Sequence, residues 1–249
     1  KLEAKLELAG GYDPAAHRDF FTYFDWHEFS DEEWELCPPV VAVGGDVAPQ
    51  RLLLAYSQGI FPWPAKGAPL LWFSPDPRFV LRPEDAIIGR TLRKQLSRGR
   101  YELRADTCFR DVMKACATVP RPGQAGTWIT DELLTGYTRL HELGFAHSIE
   151  AFEDGELVGG FYGVSLGRAF FGESMFAVRP DASKVAFATA LGHFLRWGIT
   201  LVDCQVHTAH LESFGAVEWP RARFLTTLRD VVAHPTRMGP WKLDATPAE

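Results

Sequence analysis

The sequence predicts an α+β fold in which helices cover a central mixed sheet, and three observations carry that expectation. The run FAHSIEAFEDGELVGGFYGVSLGRAFFGESMFAV reads as three strands joined by two hairpin signals, Asp154-Gly155 and Leu166-Gly167. DASKVAFATALGHFLRWG then reads as a capped amphipathic helix, and LVDCQV as the strand that follows it. Upstream, helices alternate with short strands, so the order is helices, antiparallel meander, helix, strand, which is that of a mixed α+β domain.

Taken in order, residues 1–39 are acidic and aromatic-rich, close on Pro38-Pro39 and yield no assignable element. VVAVGGDVAPQRLLLAYSQGIFPW reads as a strand, a turn at Gly44-Gly45 and a helix with Pro49 at its first position and Gly59 just past its end. The glycine pair lacks the spacing of a phosphate-binding loop and is read as a tight turn. FPWPAKGAPLLWFSPDPR packs five prolines and two tryptophans into 18 residues, which makes it stiff and irregular. The junction between a small N-terminal α/β domain, residues 1–76, and a larger domain, residues 77–249, is expected there. Beyond it come a strand (RFVLR), a basic helix, a strand (RYELRA) and a helix near 107–117. A further helix is capped by Thr130, with Asp131 and Glu132 in its first turn, Leu133, Tyr137, Leu140 and Leu143 along one face, and Gly144 as its stop.

At 249 residues and 46% hydrophobic, the chain can bury one large core or two modest ones. No apolar run approaches the roughly 18 residues of a membrane span, and KLEAKLELAGGYD lacks a secretory h-region, so a cytoplasmic, membrane-free protein is expected. Cys37, Cys108, Cys116 and Cys204 form no C-x-x-C pair, and His207 with His210 lacks a third ligand of suitable spacing, so no metal is expected. A net charge of −6 argues against non-specific nucleic-acid binding. Yet IIGRTLRKQLSRGRYELR gathers Arg90, Arg93, Lys94, Arg98, Arg100 and Arg104 against Glu102 alone, the first four at helical spacing. That stripe is either a solvated helix face or a phosphate-backbone contact.

The chemistry gathers on two strands. Period-2 alternation in FFGESMF puts Phe171, Glu173 and Met175 on one face, leaving Glu173 a carboxylate among large apolar neighbours. In LVDCQVHTAH, Val202, Cys204 and Val206 form an apolar face, and Asp203, Gln205 and His207 line the other. A buried carboxylate needs a partner, either an internal Arg or Lys or a cation brought by a substrate. No serine or cysteine nucleophile is signalled. Carboxylates, an amide and aromatic walls without a nucleophile suit direct transfer between two bound substrates, where positioning does most of the work.

The blocks VAVGGDVAPQRLLLAYSQGIFPW, LWFSPDPR, GTWIT, HELGFAHSIE, ELVGGFYGV, FFGESMF and LVDCQVHTAHLESFGA, collinear over residues 40 to 230, closely resemble the leucyl/phenylalanyl-tRNA–protein transferase family. That resemblance implies an N-acetyltransferase-like (GNAT) larger domain. It also implies transfer of Leu or Phe, with Met as a further donor, from Leu-tRNA or Phe-tRNA to proteins beginning with Arg or Lys, without a cofactor. Glu173 and Asp203 are then expected to meet the incoming side-chain cation, and Gln205 to hydrogen-bond the attacking α-amine, with Asp203 as its polarising neighbour or proton relay. Trp63 corresponds to the adenosine-stacking tryptophan, Tyr56 to its aromatic neighbour and Trp128 to the tryptophan of GTWIT. Arg90, Arg93, Lys94 and Arg98 would face tRNA, and Phe161, Phe170, Met175, Phe187 and Phe194 would form the aminoacyl side-chain pocket. Ala48 and Thr208 depart from the family pattern, where Ser or Thr and, in some members, Asn are found.

Two other classes compete. An acyl-CoA N-acetyltransferase would need a glycine-rich pyrophosphate loop before the helix DASKVAF, and FAVRPDASK offers none. A non-catalytic RNA-binding module would account for the basic helix and leave Glu173 and the Asp203–Gln205 stripe unexplained.

Overall fold

A computed structural model describes residues 40–64, 69–120 and 127–244. Residues 1–39, part of the expected N-terminal domain, lie outside the described residues. The first elements are β1 (Val40–Val43), helix α1 (Pro49–Ser57), β2 (Phe61–Pro62) and β3 (Leu71–Phe73), and the three strands make a small antiparallel sheet in the order β1-β3-β2. Pro49 opens α1 as expected. Ala48 caps it without a side-chain bond, and the Ala48 amide donates instead to Asp46 Oδ1 at 2.9 Å. Gly59 sits at φ +74°, where a Cβ would come within 2.7 Å of Leu225 and 2.8 Å of Phe224. A glycine there lets the chain turn tightly beneath a later helix.

The main sheet has seven strands in the order β10-β4-β9-β8-β7-β6-β5. β4 (Arg78–Leu81) leads through α2 (Arg90–Arg98) to β5 (Glu102–Ala105) and α3 (Phe109–Thr118), and α4 (Asp131–Glu142) precedes the meander β6 (Ala146–Glu153), β7 (Glu156–Leu166) and β8 (Ala169–Ala177). Both hairpins turn where Asp154-Gly155 and Gly167 predict. Thr130 caps α4, accepting from the Leu133 amide at 3.3 Å, and Leu133, Tyr137 and Leu140 are fully buried. After α5 (Ala182–Trp197) come β9 (Leu201–Gln205), the short α6 (Ala209–Glu212), β10 (Val217–Trp219) and α7 (Arg221–Val232). Thr208 makes its own use of its turn, capping α6 by accepting from the Leu211 amide at 3.2 Å.

Two features of α5 differ from expectation. Asp181 at its N-cap lies at φ +62° and makes no side-chain cap bond. The helix is buried on most of its circumference, not on one stripe, because it is the crossover linking the parallel pair β8 and β9 and is covered from outside by α2. One core, built from Leu52, Tyr56, Trp72, Met113, Leu133, Phe171 and Leu228 among others, fills the face beneath α1, α3, α4 and α7, and crosses the expected domain junction. The second, around Phe79, Phe161, Phe170, Phe187, Phe194 and Trp241, fills the α5 face. Among the described residues no helix is long and apolar enough to cross a membrane.

Candidate active site

β8 and β9 pair at three positions only, Ala169 with Leu201, Phe170 with Val202 and Phe171 with Asp203, and then part. The gap opens into a cavity of about 880 Å³, lined chiefly by apolar side chains including Trp63, Trp128, Phe161, Phe170, Met175 and Phe187. Each strand carries a bulge beside the opening. Tyr162 pairs with Ser174 and Gly163 with Gly172, so Glu173 is the extra residue on β8, and Cys204 is likewise extra on β9 opposite Phe79 and Val80. The β8 bulge breaks the period-2 alternation. Phe171 and Glu173 face the first core, whereas Met175 packs on the second and Phe176 takes the first-core side. The expected common face of Phe171, Glu173 and Met175 is therefore corrected.

Glu173 lies at the cavity wall and accepts from Tyr56 Oη at 2.6 Å, from Gln205 Nε2 at 2.9 Å and from Tyr137 Oη at 3.0 Å. The two phenols also touch each other. Burial pushes the Glu173 carboxyl up to about 7, against the pull of its hydrogen bonds from the tyrosines and Gln205. Burial first, and then the Glu173 charge, push both phenols well above their ordinary range. They therefore stay protonated and serve as donors. No cationic side chain among the described residues pairs with Glu173.

Asp203 is different. Arg78 donates from Nε to Oδ1 at 2.8 Å and from Nη2 to Oδ2 at 2.6 Å, and the backbone N–H of Gln205 donates to Oδ1 at 2.9 Å. The guanidinium lies between the rings of Phe61 and Phe224, 4.8 and 4.6 Å from their centroids. The expectation that Asp203 waits for a substrate cation is thus corrected: its charge is already met by an internal arginine. Gln205 ends β9 at φ +63°, and the Val206 amide bonds the Cys204 carbonyl across it at 2.8 Å, a γ-turn. A positive φ at a non-glycine residue is strained, and here Asp203 and the γ-turn hold it. The expected stripe stops at this turn. His207 leaves the row, its ring 4.9 Å from that of Phe79 and its Nε2 3.3 Å from Glu212.

Trp63 is 38% exposed at the cavity rim, its ring 5.6 Å from Phe73, and Trp128 lies half-buried on the same cavity. Tyr56 does not join them as a flanking aromatic face. It is fully buried, 5.0 Å from Phe171, with its hydroxyl committed to Glu173. Phe161, Phe170, Met175 and Phe187 line the cavity as expected, but Phe194 stands behind Phe170 at 4.8 Å and does not reach it. On α2, Arg90, Arg93, Lys94 and Arg98 are all exposed and in no ion pair among the described residues. Arg100 and Arg104 are not part of a free patch, since they pair with Glu153 and Glu102.

Sequence reasoning missed Arg78 and Tyr137 as site residues. Tyr137 had a signal: a buried tyrosine in an apolar helix stripe must satisfy its hydroxyl. Arg78 had none, because nothing local ties a strand arginine to a carboxylate 125 positions away.

Comparison with known proteins gives the family. The family described as leucyl/phenylalanyl-tRNA protein transferase matches residues 80–229, and its N-terminal domain matches residues 45–76. A leucyl/phenylalanyl-tRNA–protein transferase of Myxococcus xanthus is 60% identical over 220 residues, covering 85% of this chain and 94% of that protein. One from Anaeromyxobacter is 54% identical, covering 88% and 94%, and one from Nitratidesulfovibrio vulgaris is 54% identical, covering 82% and 87%. At this identity, over nearly the full length of such relatives, the chain belongs to the leucyl/phenylalanyl-tRNA protein transferase family and is an aminoacyltransferase that draws on aminoacyl-tRNA.

Proposed function

We propose that this chain transfers leucine or phenylalanine, with methionine as a further donor, from aminoacyl-tRNA to the α-amine of proteins beginning with Arg or Lys, in the cytoplasm. The observation that carries the reading is Glu173, a carboxylate held by neutral donors alone at the wall of an apolar cavity. An acceptor residue with a cationic side chain supplies the counter-charge that the described residues do not. The aminoacyl side chain occupies the apolar part of the cavity, among Phe161, Phe170, Met175 and Phe187. Trp63 stacks on the terminal adenine, with Trp128 beside it. The exposed cations of α2 meet the acceptor stem through phosphates, which bind charge without reading bases.

In the transfer step the α-amine nitrogen bonds to the ester carbonyl carbon, the bond from that carbon to the ribose oxygen breaks, and a proton passes from the amine to the ribose oxygen. About a tenth of an amine with pKa near 8 is neutral at pH 7, a cost of about 1.4 kcal/mol, so no strong base is needed. Gln205 spends Nε2 on Glu173, which leaves Oε1 to accept from the amine and orient it. Asp203 acts as a positioning residue, holding the Gln205 turn.

Two structural readings accompany this one. A sheet with a parallel pair around a crossover helix supports an N-acetyltransferase-like domain over residues 77–249, and the separate three-stranded sheet supports a small N-terminal domain within residues 1–76. Against acyl-CoA chemistry, the segment before α5 offers an anion no welcome: Pro180 O accepts from Tyr101 Oη, and Asp181 puts a carboxylate at the helix start. The direct test incubates the protein with labelled Leu-tRNA and peptides beginning with Arg, Lys or Ala. Label on the Arg and Lys peptides alone is expected, and equal labelling of all three overturns the acceptor assignment.

A further inference from the structure

The segment after α7 runs as a strap across the end of the sheet remote from the cleft, beyond the region matched by the family. It is tied at three points. Thr236 Oγ1 accepts from the Gly167 amide at 2.8 Å, the Gly239 amide donates to Gly144 O at 3.1 Å, and the Trp241 amide donates to Asp106 Oδ2 at 2.6 Å. Asp106 also takes the Ser148 amide at 2.9 Å and His147 Nδ1 at 2.8 Å, so one buried carboxylate gathers strap and sheet.

These ties deliver Trp241 to the second core, where it is 1% exposed. Its ring stacks on His147 at 3.7 Å and 5°, and lies 4.9 Å from Trp197, 6.0 Å from Phe194 and 6.0 Å from Phe170. Phe170 is the member of that group that lines the cavity. It rests on the bare Cα of Gly163, where a Cβ would come within 2.5 Å of its Cζ, and it meets Phe194 at 4.8 Å. Phe170 is thus part of the cavity wall, and Trp241 is part of what stands behind it.

We infer that Trp241 is a specificity-determining residue acting through Phe170: by backing that ring it fixes the depth of the aminoacyl side-chain pocket and hence the balance between a branched aliphatic donor and a longer aromatic one. The inference rests on the reading that this pocket holds the donor side chain. Close-packed interiors transmit a volume change to the next layer. A smaller residue at 241 lets Phe170 settle back and lengthens the pocket, which favours the longer side chain.

The test measures kcat/KM with Leu-tRNA and with Phe-tRNA for Trp241→Leu, Trp241→Phe and, as a direct pocket control, Phe187→Leu, each checked by thermal melt. Trp241→Leu is expected to raise the Phe-to-Leu ratio about tenfold, the scale on which one or two methylenes are discriminated, and Trp241→Phe to raise it less in the same direction. A residue that only stabilised the fold would lower both donors together. If Phe187→Leu moves the ratio and neither Trp241 variant does, the pocket stands and the role of Trp241 is overturned. If Phe187→Leu leaves the ratio unmoved, the pocket assignment itself fails and takes this inference with it. Should Trp241→Leu fail to fold, the Trp241→Phe ratio decides.

Discussion

Both carboxylate oxygens of Asp203 are held by the single guanidinium of Arg78, at 2.8 and 2.6 Å, with each side chain fully buried. Removing one partner strands the other charge in the interior, at a cost of about 3 to 5 kcal/mol. Asp203→Asn and Arg78→Leu should each lower the urea midpoint of unfolding accordingly. The paired change Arg78→Met with Asp203→Leu should recover most of that stability, yet remain inactive because the Gln205 turn loses its acceptor. Full activity in the stable double variant would show that the pair does not position Gln205.

Glu173 offers a test by pH. Its folded value, raised to about 7 from an ordinary 4.5, means that the folded chain holds a proton which the unfolded chain has released. Its contribution to stability is therefore complete below about 4.5 and is lost as pH rises through about 7. Glu173→Gln should flatten the stability profile across that window. If the ionised carboxylate holds the acceptor's cation, kcat/KM for an Arg-initiated peptide should rise through pH 7 more steeply than for an Ala-initiated one. In Glu173→Gln only the rise common to both peptides, from deprotonation of the attacking amine near about pH 8, should remain, with the preference for Arg over Ala lost. A preserved preference would assign Glu173 to the fold alone.

Trp63 stands at the rim with 38% of its surface exposed, so removing the ring should not unfold the chain. Stacking of a base on an aromatic ring contributes about 1 to 3 kcal/mol. Trp63→Ala should accordingly raise the KM for aminoacyl-tRNA roughly ten- to a hundredfold with an unchanged melt. A lost cooperative transition would make Trp63 a core residue.

Neutralising Arg93 and Lys94 together, both exposed on α2, should raise the KM for aminoacyl-tRNA. It should also reduce the slope of log affinity against log salt by about 2, roughly one unit for each phosphate that the helix no longer neutralises. An unchanged slope across a salt series would leave α2 as solvated surface.

Much of the frame was legible in the sequence because its signals are local. Asp154-Gly155 and Gly167 set the meander, Thr130 and Gly144 bound α4, and Pro49 opens α1, each through the backbone conformation that its residues favour. What escaped depends on distant partners. The face of Met175 is set by a bulge that exists only in the pairing of β8 with Tyr162 and Gly163 of β7. Alternation marked Asp203 as a buried carboxylate in need of a partner, but could not distinguish Arg78 from a substrate cation. Tyr56 and Phe194 were expected at the cavity surface and lie one layer behind it, since spacing gives a residue's face and not its depth. β10, α7 and the strap carry patterns too short or too plain to mark them in the sequence.

The cleft between β8 and β9 opens where two parallel strands stop pairing after three positions. Its opening is a property of chain path, kept by the bulges and by the crossover through α5. Lining residues can then be exchanged as one refits a socket, altering which side chain the cavity admits while Glu173 on β8 and Asp203 and Gln205 on β9 stay where they are. On the proposed reading, retargeting such a scaffold to new donors needs changes only in the wall and its backing.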